Sequence, residues 1–187
     1  MVGIQELIGR IRFWKNADRI GPDIPLTHWC LYFKSTMKKL CKRKFKKFGE
    51  GAELRPGAYV DACTKVSIGN HVVIRPNTFL YADPRENGGE IIIEDKVLIG
   101  SGVHLYANNH DFNDKNTTIY DQGYPKPTML DTIILRRGCW IGAGAILLPG
   151  VEVGGNSVIG AGTVVTKSVP PRVVFAGNPG RIIRTIE

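Results

Sequence analysis

Residues 135–170 read LRRGCW, IGAGAI, LLPGVE, VGGNSV, IGAGTV and VTKSVP, six consecutive blocks of six. Each block opens on an aliphatic residue: Leu135, Ile141, Leu147, Val153, Ile159 and Val165. Its fifth residue is small or branched: Cys139, Ala145, Val151, Ser157, Thr163 and Val169. Glycine follows the aliphatic residue at Gly142, Gly154 and Gly160. A period of six fits neither the 3.6 of a helix nor a long run of alternation. It fits a chain that turns a corner every six residues, so that each aliphatic side chain stacks on the one three blocks later. The expected architecture is a parallel β-helix with one short strand per block, all-β in its main body. Glycine then serves corners that need unusual φ or a close approach of neighbouring backbone.

Working outward, the same count runs through Leu54 and Val60, slips by two residues, and continues at Ile68, Ile74 and Leu80. A spacer at residues 82–90 is rich in turn-formers, with Asp83-Pro84 and Asn87-Gly88-Gly89. The count resumes at Ile93, Ile99 and Leu105 and stops at His110. Residues 111–132 break it with a polar, aromatic stretch, and an excursion of that length inside a solenoid is a functional signal. Between four and five coils are expected, with the chain leaving the prism after Pro170-Pro171 in a tail at 171–187.

The N-terminal segment, residues 1–48, is of another kind. Ile4, Leu7, Ile8 and Ile11 predict an amphipathic helix over 4–16, interrupted by Gly21-Pro22 and Pro25. Thr27 is the expected N-cap of a second helix reaching about Lys47, with Trp29, Phe33, Met37, Leu40 and Phe48 on its apolar side. Lys34, Lys38, Lys42 and Lys46 form a basic stripe along it. Two readings stay open for residues 27–47: a cap over the first coil of the 49–187 domain, as solenoids require, or a cap that also contacts anionic membrane.

The net charge of +8 is unevenly spread. Residues 1–47 hold 12 Lys+Arg against 3 Asp+Glu, and the remainder holds 13 against 14. The basic pI therefore belongs to the segment and not the body, which argues against nucleic acid as a partner. No apolar run is long enough to span a membrane and no signal pattern opens the chain, so a cytoplasmic protein is expected, peripheral at most to the inner membrane face. The four cysteines lack disulfide or zinc spacing, and Cys139 falls on an inward position.

Trp140-Ile141-Gly142-Ala143-Gly144-Ala145, Pro149-Gly150-Val151, Val158-Ile159-Gly160-Ala161-Gly162, Val165-Thr166-Lys167, Pro170-Pro171 and Ala176-Gly177-Asn178-Pro179 resemble the hexapeptide-repeat O-acetyltransferases. That family includes the galactoside, maltose and polysaccharide-modifying enzymes. The resemblance runs from about Leu54 to Arg184 and implies a left-handed coil, where the general crossover rule would give a right-handed one. It also implies a homotrimer that moves an acetyl group from acetyl-coenzyme A to a sugar hydroxyl, with no metal, in surface polysaccharide or O-antigen modification.

His110 stands at the root of the excursion, where the family keeps its catalytic histidine. A base that is neutral at pH 7 and can later return its proton suits the transfer. The resemblance makes Trp140, Ala143, Ala161, Thr166, Lys167, Arg181 and Arg184 the coenzyme A set and the Ala143 amide the oxyanion donor. On the acceptor side, Tyr81, Asp83, Asn108 and Asn109 are candidates. Asp83 replaces an asparagine of the galactoside-type pattern, and can either meet sugar hydroxyls or orient His110. Three alternatives stay open: N-acetylation of an amino sugar, a γ-class carbonic anhydrase with zinc on His71, His104 and His110, and a noncatalytic scaffold. Against zinc, five residues separate His104 from His110 where the anhydrases have four between their close pair.

Overall fold

The computed structural model describes residues 3–187. Its body is a three-faced prism of parallel strands. Face A stacks Tyr59–Asp61, Phe79–Tyr81, His104–Tyr106, Ile146–Leu147 and Val164–Val165. Face B stacks Lys47–Phe48, Val66–Ile68, Ile91–Ile93, Ile133–Leu135 and Glu152–Val153. Face C stacks Glu53–Leu54, Val73–Ile74, Leu98–Ile99, Trp140–Ile141, Val158–Ile159 and Val173–Gly177. The expected register holds: Leu135 pairs with Val153, Ile141 with Ile159 and Leu147 with Val165.

The core consists of these columns. Leu54, Ile74, Ile99, Ile141, Ile159 and Phe175 line the inner side of face C, each at most 1% exposed. The fifth-position residues line the interior with them, and Thr78 and Ser157 are the polar exceptions that find partners, on the carbonyls of Gly100 and Pro170. Cys139 is fully buried and its thiol is pushed up to about 12 by that burial, which suits filler and not a nucleophile. Glycine at the corners has two distinct causes. A Cβ on Gly142 would lie 2.6 Å from the backbone nitrogen of Ala161 in the next coil, whereas Gly144 has φ +69.

Three details differ from expectation. Lys47–Phe48 is the first strand of face B, so the prism begins two residues inside the segment assigned to the cap. Val173–Gly177 continues face C, and Gly180–Thr185 folds back on it antiparallel, so the tail stays on the prism. The long second helix is two helices, α2 (Pro25–Cys30) and α3 (Lys34–Lys44), preceded by α1 (Ile4–Asn16). Pro25 opens α2 at its first turn, where its missing N–H costs nothing. Thr27 therefore lies inside a helix, with its hydroxyl donating to the Ile24 carbonyl.

α3 packs over the first coil. Met37, Leu40 and Cys41 bury themselves with Phe45 and Phe48 against the first coil. Three half-exposed lysines of the stripe pair with carboxylates: Lys46 lies 2.8 Å from Glu90, and Lys38 and Lys42 each lie 2.6 Å from Glu50. Those two lysines hold the Glu50 carboxyl at about 2. Trp29 and Phe33, expected on the apolar side, are instead 66% and 52% exposed.

Neighbouring positions on one strand test this register. Ile99→Ala removes an inward side chain and is expected to lower stability by about 2–5 kcal/mol. Leu98→Ala, on the outward side of the same strand, is expected to cost less than about 1 kcal/mol. Urea midpoints would show the contrast, and equal losses would contradict the assigned inside and outside.

Candidate active site

Because the side-chain period along a strand is two, the residues after the inward column of face A form a second column at its A/B corner. Asp61, Tyr81 and Tyr106 stand there in register, and Leu148 follows one coil above, its N–H bonded to the Val165 carbonyl. With Asn108, Asn109, His110, Tyr124 and Pro149 they line a cleft of about 440 Å³. The stacked rings of Tyr81 and Tyr106, 5.2 Å apart and 5° from parallel, form its wall.

His110 stands where the chain leaves the prism. Its Nδ1 lies 3.2 Å from the Gly123 carbonyl, which also accepts from the Asp111 N–H at 2.9 Å. A carbonyl only accepts, so this contact places the ring proton on Nδ1 and leaves Nε2 as the basic nitrogen. The ring is stacked 4.4 Å from Tyr124. Thus the middle of the excursion folds back on its own root and sets the tautomer there.

Of the sequence-derived acceptor candidates, Tyr81, Asn108 and Asn109 meet at this cleft with His110. Asp83 does not line it. It is 1% exposed, and both its oxygens are taken by Arg85, so direct contact with sugar hydroxyls is replaced by an internal ion pair. Burial alone would raise that carboxyl, but the Arg85 side chain and N–H outweigh it and hold it below the usual range. Asp61, Tyr106 and Leu148 were not singled out from the sequence, whereas Tyr124 is one of the aromatic residues of the excursion that could stack on a sugar ring. Tyr106 was within reach, since it occupies the same place after Leu105 that Tyr81 occupies after Leu80.

The donor candidates divide between two edges of face A. Ala143 and Ala161 sit at the C/A corner, joined by the Gly162 N–H to the Ala143 carbonyl at 2.9 Å. Trp140, half-exposed, lies on face C beside Leu98, Arg55 and Arg75 in a groove of about 550 Å³ that reaches Ala143. Arg181 and Arg184 lie on the antiparallel strand that ends face C. Thr166 and Lys167 follow the last strand of face A, one coil above Leu148 and Pro149 at the A/B corner. His110 and the Ala143 amide are consequently on opposite edges of face A within one protomer. Among the described residues the Ala143 N–H makes no hydrogen bond, so it is a free donor.

His71, His104 and His110 do not converge. His71 is an exposed corner residue with φ 55 between faces B and C. His104 is on face A, stacked 4.6 Å from Phe79, with Nδ1 2.9 Å from the Tyr106 hydroxyl. Among the described residues no three His, Cys, Asp or Glu side chains are grouped to hold a metal ion.

Residues 132–167 match the family model described as bacterial transferase hexapeptide (six repeats). Over 152 residues the chain is 35% identical to a galactoside O-acetyltransferase of Escherichia coli (strain K12), covering 80% of this chain and 68% of that protein. A solved galactoside acetyltransferase in complex with coenzyme A is 31% identical with TM-score 0.71, over 85% of this chain and 78% of that one. A maltose O-acetyltransferase from Clostridium difficile 630 is 25% identical with TM-score 0.70, over 97% and 88%. The fold is that of a hexapeptide-repeat transferase, with the left-handed coil that the resemblance implied. The chain belongs to the hexapeptide-repeat acetyltransferase family.

Burial lowers the pKa of His104 from its ordinary value of 6.5. The unfolded chain then binds the proton first, so this residue makes stability fall as pH drops below about 6.5. His104→Phe is expected to flatten that decline in urea midpoints taken between pH 7 and 5. An unchanged slope would contradict a desolvated ring.

Proposed function

We propose that this chain is an acetyl-coenzyme A-dependent sugar O-acetyltransferase in which His110 is the general base. The observation that carries the reading is the Gly123 carbonyl at His110 Nδ1, which leaves a basic Nε2 beside a cleft lined by tyrosine and asparagine side chains. Nε2 takes the proton from an acceptor hydroxyl as its oxygen attacks the thioester carbonyl. The resulting oxyanion is met by the Ala143 N–H, a contribution of about 3 kcal/mol for a donor of this kind. Collapse breaks the carbon–sulfur bond, and the departing thiolate takes the proton back from His110. Every proton and electron pair is accounted for without a metal or an acetylated protein.

Since His110 and Ala143 occupy opposite edges of face A, the reading includes a homotrimer in which each site joins the His110 edge of one protomer to the Ala143 edge of the next. Trp140, Ala161, Arg181 and Arg184 would hold coenzyme A on the second edge, with Thr166 and Lys167 reaching it from the first. The aromatic wall and amide groups of the cleft suit a polyhydroxylated ring, and a surface polysaccharide or its precursor is the proposed acceptor.

His110→Ala is expected to lower turnover at least about 100-fold with little change in affinity for acetyl-coenzyme A. Ala143→Pro, which deletes the N–H, is expected to be similarly impaired. Co-expressing the two variants should restore part of the activity, because mixed trimers contain sites with both groups intact. Full activity of His110→Ala would overturn the base assignment, and two impaired variants that never complement would overturn the shared site.

We also propose contact with an anionic lipid surface, made through a different part of residues 1–48 from the lysine stripe. Ile4, Leu7, Ile8 and Phe13 of α1 are exposed, as are Leu26, Trp29, Tyr32 and Phe33, beside a strongly basic segment. No residue of α1 is buried, and no helix among the described residues is long and apolar enough to cross a membrane. An apolar apron flanked by positive charge is the pattern of an interfacial contact. Trp29→Ala with Phe33→Ala is expected to abolish sedimentation with anionic vesicles, whereas Lys38→Gln with Lys42→Gln should retain most of it. Equal sedimentation of wild type and the aromatic double variant would contradict the contact.

A further inference from the structure

The spacer between Ala82 and Glu90 contains a group whose connections lead to His110. Asp83 is 1% exposed and receives four hydrogen bonds from Arg85. The backbone N–H of Arg85 reaches Oδ1 at 3.0 Å, Nε reaches both oxygens at 2.9 and 3.1 Å, and one terminal nitrogen reaches Oδ2 at 2.6 Å. The Asn87-Gly88-Gly89 turn closes over the carboxylate so tightly that a Cβ on Gly88 would lie 2.4 Å from Asp83 Cγ. The pair is a rigid fixture of the prism and not a solvated surface bridge.

Its free end points elsewhere. The second terminal nitrogen of Arg85 donates to the Pro125 carbonyl at 2.6 Å, and the guanidinium lies 5.4 Å from the centre of the Tyr124 ring. Tyr124 in turn stacks on His110, and the adjacent Gly123 carbonyl holds His110 Nδ1. Among the described residues, apart from the His110–Gly123 contact, the Arg85–Pro125 bond is the only side-chain hydrogen bond between the prism and residues 111–127. Other side-chain bonds of this segment stay within it or join its end to His110. Nothing else of that kind fixes the height at which Gly123 and Tyr124 meet the imidazole.

We propose that Arg85, anchored by Asp83, is a positioning residue that sets the orientation and tautomer of His110 through Tyr124 and the Gly123–Pro125 backbone. Only a planar guanidinium can grip a carboxylate, stack on a ring and donate to a carbonyl at once, so lysine is not an equivalent replacement. The proposed consequence for turnover rests on His110 being the base. The consequence for the ring itself does not. Asp83 thereby takes the second of its two expected roles, orientation in place of sugar contact.

The test uses the full chain with ¹⁵N-labelled histidine, comparing wild type, Arg85→Lys, Arg85→Ala and Asp83→Asn. In wild type at neutral pH the His110 ring is expected to show the Nδ1-protonated form. Arg85→Ala, and Arg85→Lys where the alanine variant folds poorly, should shift His110 toward a mixture of tautomers while the His71 signal stays put. Turnover should fall about 10- to 100-fold with KM for acetyl-coenzyme A unchanged. In a His110→Ala background the same Arg85 change should cost no further activity. An unchanged His110 spectrum in a folded Arg85 variant would overturn the proposal. A shifted spectrum with wild-type turnover would leave the clamp standing and remove His110 as the base.

Discussion

Every part of this molecule depends on the register with which one coil lies on the next. A shift of one residue would turn each inward aliphatic side chain to solvent, so the stack admits one alignment along each face. Irregularity is therefore confined to corners, where backbone can leave and return without disturbing the columns. The two-residue slip between Val60 and Ile68 is taken up by a short turn at Cys63–Lys65. The spacer at 82–90 and the excursion at 111–132 leave from the same A/B corner, one coil apart. That shared point of departure is what allows Arg85 of one to touch Tyr124 and Pro125 of the other.

The consequences for chemistry follow from the same geometry. A prism face is a few residues wide, and side chains at its two edges cannot meet across it. His110 occupies one edge of face A and the Ala143 N–H the other, each with its surroundings already formed. On the proposed reading, catalysis waits on a neighbour to join these halves, and assembly is part of the reaction machinery. The imidazole is supported by a backbone carbonyl, where many histidine bases rely on a carboxylate. The carboxylate that sequence inspection offered, Asp83, is linked to the imidazole only through an arginine and a ring. A carbonyl at Nδ1 favours the Nδ1-protonated tautomer without a carboxylate bonded to the ring.

How much of this was legible in the sequence varied with how far each feature depended on the repeat. The inward columns, their three-block stacking and the exit at His110 were readable because a period of six has a single geometric meaning. Lys47–Phe48 was hidden because it ends a basic run that reads as helix, and its strand pairing is with Val66–Ile68, far along the chain. The single helix expected over 27–47 divides at Leu31–Phe33, where the Phe33 backbone is extended and starts a new helix. Tyr106 could be placed by register, whereas Tyr124 could not, since the excursion follows no period. The lysine stripe was visible, but Glu50 and Glu90, which occupy most of it, belong to coils that only folding brings near. Arg85 was missed for a similar reason: its partner Asp83 is local, but its other hydrogen bond lies forty residues on, at Pro125.

Direct transfer by a histidine base makes a kinetic demand that the fold alone does not: donor and acceptor must be bound together when the thioester is attacked. The most direct test is a two-substrate initial-rate study that follows thiol release from acetyl-coenzyme A at several concentrations of a sugar acceptor. The expected result is release that requires the acceptor, with reciprocal plots that intersect. Parallel plots, or release indifferent to any acceptor, would contradict the account.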